Sequence, residues 1–130
     1  MAYDNPQTVT YTYEAHDFGT GSDVVKEIVG PSGKQGRVRD ILIGDITEVF
    51  AGSTSTPGIK VGSTTDDDSY VTAIDFGALA VGAVYSAKAT SATPFLDVEM
   101  TADTEAHITL VSGVGTPTGI ADVHVIIDWF

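Results

Sequence analysis

Hydrophobic and polar positions alternate along much of this chain with a period of two. In TVTYTYEA, Val9, Tyr11, Tyr13 and Ala15 fall on one side and Thr8, Thr10, Thr12 and Glu14 on the other. That alternation predicts a half-buried strand of an antiparallel sheet. A second strand is expected in DVVKEIVG, stopped by Gly30-Pro31-Ser32-Gly33, which does not extend a ladder. RVRDILIGDITEVF carries a third, in which the consecutive Ile41, Leu42 and Ile43 place apolar groups on both faces or mark a bulge near Gly44.

AGSTSTPG reads as a turn-rich connection, IKVGS as a short strand, and TTDDDS as a polar loop leading into a strand in YVTAIDFG. GALAVGAVYSAKATSATP is ambiguous by pattern. Its alanines suit a helix, while Gly77, Gly82 and the β-branched residues favour a loop followed by a strand, which is the expectation adopted here. FLDVEMTA and AHITLVSG are expected as strands around a turn at Asp103-Thr104, and the last strand runs from Ile120 to Phe130 after a Gly/Pro-rich loop. The sum is an all-β fold of about eight strands in one domain spanning 1–130: an antiparallel β-sandwich, jelly-roll-like, with a small barrel as the other possibility.

The ending TPTGIADVHVIIDWF raises a specific question, because chain ends are usually polar and frayed unless tied down. By parity, Ala121, Val123, Val125, Ile127 and Trp129 form a wholly apolar face that belongs against the core. The opposite face, Ile120, Asp122, His124, Ile126, Asp128 and Phe130, mixes apolar anchors with hydrogen-bonding groups, which is the texture of an interface. A loop of the same chain or a neighbouring subunit would supply its cover. Ile120, His124, Ile126 and Phe130 are the candidate subunit contacts.

Composition sharpens this picture. Val, Ile and Thr dominate, and 14 glycines supply the turns. At 130 residues the chain is long enough to bury roughly two-thirds of its extended surface without staples. It has no cysteine, so disulfides and thiolate metal sites are unavailable. The opening MAYDNPQTVTYTY has neither the basic nor the apolar region of a signal peptide, and no apolar run approaches the ~18 residues of a membrane span. The reading is of a soluble protein made in the cytoplasm, with no membrane partner.

The formal charge of −12 argues against nucleic acid as a partner, because such a surface repels polyphosphate. The few basic residues are clustered, with Lys34, Arg37 and Arg39 in GPSGKQGRVRD. They read either as a solvated hairpin or as a docking patch for an acidic protein surface, where the two arginines can each grip a carboxylate with two hydrogen bonds.

Candidate chemistry is sparse. His107 and His124 would sit in facing strands if the last two strands pair, though not necessarily on one face, with Asp122 as the only obvious local further ligand; half-buried or surface histidines are the simpler expectation. Asp66-Asp67-Asp68 lacks the alternating spacing of a calcium loop and reads as a solvated turn. No nucleophile elbow and no glycine-rich phosphate loop is present, so catalysis and cofactors are not expected.

The stretch GVGTPTGIADVHVIIDWF, with FGALAVG before it, resembles the decoration, or cement, proteins of tailed-bacteriophage heads over roughly residues 70–130. The resemblance rests on the closing strand and on Gly113, Gly115 and Gly119 of the loop before it. It implies a jelly-roll or β-sandwich homotrimer on the outer surface of the virion, bound to the major capsid protein between capsomers. The role it implies is mechanical, with no catalytic residue and no cofactor. The alternative is a receptor- or carbohydrate-binding module, for which Tyr3, Tyr70 and Tyr85 are the candidate stacking rings.

Overall fold

The computed structural model describes residues 6–130. It is all-β apart from one helical turn. The strands are β1 (Gln7–Asp17), β2 (Val24–Ile28), β3 (Gly36–Ser55), β4 (Gly58–Ser63), β5 (Val71–Asp75), β6 (Tyr85–Ser86), β7 (Ala106–Val111) and β8 (Val114–Trp129), with α1 (Ala87–Thr90) after β6. They form two four-stranded antiparallel sheets, one ordered β1-β8-β3-β6 and the other β2-β7-β4-β5. The architecture is a β-sandwich.

The inner faces share one core. Ile41, Ile43, Val123, Val125 and Ile127 from the first sheet, with Ile59, Val61, Ile108 and Leu110 from the second, are all fully buried. Phe18, Phe50 and Phe76 pack with tilted or edge-on rings 5.3–6.3 Å apart, and Tyr85 adds a ring 5.6 Å from Phe76.

β8 explains the apolar ending. It lies between β1 and β3, so both of its edges are hydrogen-bonded. The final residue is also tied down, because Phe130 and Gln35 exchange both backbone hydrogen bonds, at 2.9 and 2.8 Å. The parity expected from sequence holds along its length: Ala121, Val123, Val125, Ile127 and Trp129 are buried, while Ile120, Asp122, His124, Ile126 and Asp128 are half-buried.

Several expectations are corrected. AGSTS is not a turn but the continuation of β3, which pairs with the start of β8 through Ala51–Thr118, Ser53–Gly115 and Ser55–Val114. Most of the Gly/Pro-rich stretch before Ile120 is therefore strand too. Two glycines carry the irregularity there, Gly115 at φ 97° and Gly119 at φ 146°, and the Phe50 ring lies where a side chain at Gly119 would project.

FLDVEMTA is not a strand; it makes only isolated bridges, Phe95 to Val71 and Met100 to Gly36. It meets the open edge of β5 only around Phe95 and β3 only at Gly36, and Leu96 and Val98 stay exposed. The alternation in β1 breaks at a bulge after Tyr13. Ala15, at φ 48°, is exposed, and His16 takes the inward place opposite Ala121. The irregular register expected near Gly44 is present, between Gly44 and Glu48.

Candidate functional site

The outer face of the first sheet carries most of the residues singled out from sequence. Cross-strand register sets Thr8 opposite Asp128, Thr10 opposite Ile126 and Thr12 opposite His124 on the β1 side of β8. On the β3 side, Arg37 faces Asp128, Asp40 faces Ile126 and Leu42 faces His124. Because these strands are in register, the polar groups meet one another directly.

Asp128 is the hub. Thr8 Oγ1 donates to its Oδ1 at 2.7 Å, and Arg39 grips both oxygens, Nη2 to Oδ1 at 2.8 Å and Nε to Oδ2 at 2.9 Å. Burial alone would raise this carboxyl. The Thr8 hydrogen bond and the Arg39 charge outweigh it and hold Asp128 below the usual carboxylate range. His124 Nδ1 pairs with Thr12 Oγ1 at 2.9 Å, and Asp122 accepts the Ala15 backbone N–H at 2.8 Å. At the far edge Asp40 accepts from the Ser86 hydroxyl and the Lys88 backbone N–H, which ties α1 to the sheet.

The half-burial of Ile120, His124 and Ile126 thus comes from side chains of the flanking strands. Phe130 projects further and is 44% exposed.

The basic cluster divides. Arg37 and Arg39 are exposed, with Arg37 ion-paired to Asp97 and Arg39 to Asp128. Lys34, expected beside them as a surface cation, is instead buried, with its backbone N–H closing the turn on Pro31 O. Gly33 at φ 75° makes that tight turn possible and carries the chain inward at Lys34.

The histidine pair is not assembled. β7 and β8 belong to different sheets, because the chain crosses from one to the other at Ser112-Gly113. His124 therefore lies on the outside of the first sheet and His107 on the outside of the second. His107 instead has Glu105 at 2.7 Å from its Nε2 and Glu27 as its direct cross-strand partner on β2. Sequence reasoning missed this trio. Glu105 was within reach of it, since residues two apart on a strand share a face, but Glu27 becomes visible only once register is known.

The Asp66–Asp68 segment is a surface loop, as expected. It is organised by Ser63, whose N–H donates to Asp66 O and whose hydroxyl accepts the Asp66 N–H at 3.0 Å, and it is anchored by the Lys60–Asp67 ion pair at 2.6 Å. A hydrogen bond with Asp66 is the first cause that holds Asp68 above the usual carboxylate range, with the neighbouring like charges adding to it.

Tyr70 and Tyr85 are both half-buried and packed against the core, and Tyr3 lies outside the described residues. Among the described residues, no helix is long and apolar enough to cross a membrane. Compared with protein families, with curated proteins and with solved structures, the chain matches none.

Proposed function

We propose that this chain is a jelly-roll structural protein of the virion, a decoration protein that binds the outside of a phage head between capsid subunits and stabilises the shell. The observation that carries the reading is the pairing scheme. β1·β8, β2·β7, β3·β6 and β4·β5 are nested antiparallel pairs, equivalent to one long hairpin of eight strands. β3·β8 and β4·β7 are the joins expected when that hairpin rolls into two facing sheets. Such jelly rolls recur in viral capsid and lectin domains.

The outer face of the first sheet supports the same reading. Thr8, Arg39 and Asp128 are already paired with one another, and Thr12 with His124 Nδ1, so a covering protein surface would bury these groups at reduced cost. Ile120, Ile126 and Phe130 supply the apolar contact of a proposed trimer interface, with His124 among them. Arg37 and Arg39 are the proposed grips on acidic groups of the major capsid protein, which they would take in exchange for, or beside, Asp97 and Asp128. A protein on the exterior never meets packaged DNA, so a charge of −12 carries no penalty there. Binding only the assembled shell stabilises it by mass action, and many copies add avidity.

Incubating the purified protein with heads that lack it, followed by sedimentation, tests this. Saturable, stoichiometric co-sedimentation is expected, abolished by Arg37→Glu with Arg39→Glu. Binding to cells or glycans without binding to heads would overturn it in favour of a receptor-binding module.

A further inference from the structure

We propose a zinc-type divalent cation site at Glu27, Glu105 and His107, on the outer face of the second sheet. One ligand atom from each of the three lies within 4.8 Å of the others. An ion about 2.0–2.1 Å from each donor needs donors about 3–4 Å apart, so the His107–Glu105 pair, at 2.7 Å, would open slightly to admit it while Glu27 completes the set. The sheet itself positions it. Glu27 is the register partner of His107 across β2 and β7, and Glu105, two residues before His107, reaches its ring.

His107 is held on its other flank as well. Its partner on β4 is Gly62, which has no side chain, and the backbone of Asp66 and Asp67 folds down over that glycine. The imidazole side chain is 21% exposed, with its Nε2 directed to the Glu105 carboxylate.

Charge points the same way. The two lysines on the adjoining strands are engaged elsewhere: Lys60 pairs with Asp67, and Lys26 lies over the Tyr13 ring at 5.5 Å. Among the described residues neither of these lysines is directed at the two carboxylates, in a chain that is already strongly acidic. One imidazole nitrogen with two carboxylate oxygens is a borderline donor set that suits zinc, leaving a fourth position for water; calcium and magnesium prefer oxygen alone. Bound there, the ion would clip edge strand β2 to β7. This inference is independent of the capsid reading.

Titration of zinc chloride into the intact chain, followed by calorimetry and by thermal melting, tests it. The expected result is one zinc per chain, a raised Tm, no competition from equimolar calcium or magnesium, and affinity weakened about tenfold or more by His107→Ala and by Glu27→Gln. NMR of the unmodified chain should show zinc shifting the His107 ring while His16 and His124 stay in place, which decides the matter if His107→Ala fails to fold. Absence of saturable uptake, uptake unchanged by Glu27→Gln, or competition by calcium, which would place the ion on the Asp66–Asp68 loop, overturns it.

Discussion

The six-membered ring of the Trp129 indole lies directly against the α-carbon of Gly36, its register partner on β3, and a methyl group on that carbon would overlap the ring. Gly30 meets the same ring in the same way. The tryptophan closes one end of the sandwich, and two glycines leave the room for it. Gly36→Ala and Gly30→Ala should each destabilise the fold by about 1–3 kcal/mol through overpacking. Trp129→Ala should cost about 3–5 kcal/mol through the cavity it leaves. Urea unfolding with unchanged m-values measures both effects, and stability equal to the parent in the glycine variants would contradict the contact.

Ser112 sits where the chain passes from one sheet to the other. Its buried hydroxyl accepts the Gly21 N–H at 2.9 Å and donates to Phe18 O at 2.9 Å, and its backbone N–H is held by Asp23 at 3.0 Å. Ser112→Ala should lower stability by about 1–3 kcal/mol, the usual cost of leaving a buried partner unsatisfied. Ser112→Thr tests whether the hydroxyl is what matters: it should recover more of the loss than Ser112→Val.

His16 should make the protein less stable in mild acid. Burial against the core lowers its pKa, the nearby Lys26 charge lowers it further, and Asp17 only partly offsets them. Its ring stands edge-on to Phe18 at 4.5 Å. With the folded pKa below the unfolded value of about 6.5, the stabilisation is present above that pH and is lost as pH falls through the folded pKa. NMR titration should place the His16 midpoint below the unperturbed value of about 6.5. His16→Gln should flatten the stability profile in that window, and an unchanged slope would rule out this origin.

The proposed subunit contact makes a prediction about mass. Ile126→Asp together with Phe130→Asp should leave the far-ultraviolet circular dichroism unchanged while converting a trimer into monomers. Light scattering after size exclusion measures this. A parent protein that is monomeric at high concentration would remove the contact from the proposal.

The strand pattern was legible in the residues because burial on one face imposes a period of two, and all eight strands follow expected segments, β6 being the short strand after the loop from Gly77. Two-sided readings failed where local pattern had no pairing partner or an unexpected one. FLDVEMTA alternates like a strand yet makes only single bridges, to Val71 of β5 and Gly36 of β3, whereas AGSTS, rich in turn formers, is drawn into β3 because the opening of β8 lies beside it. The helical turn at Ala87–Thr90 also follows from context, with the Ser86 hydroxyl accepting the Ala89 N–H at 3.3 Å and Asp40 fixing its start.

By itself the sequence determined the class of fold, the buried side of the last strand and the excess of negative charge, since these follow from side-chain chemistry read residue by residue. Only the tertiary structure decided which sheet each strand joins. That choice separates His107 from His124 and brings Glu27 to Glu105 and His107. Such neighbours are set by register between distant segments, where a slip of one residue turns every side chain to the opposite face, and no local pattern encodes that choice.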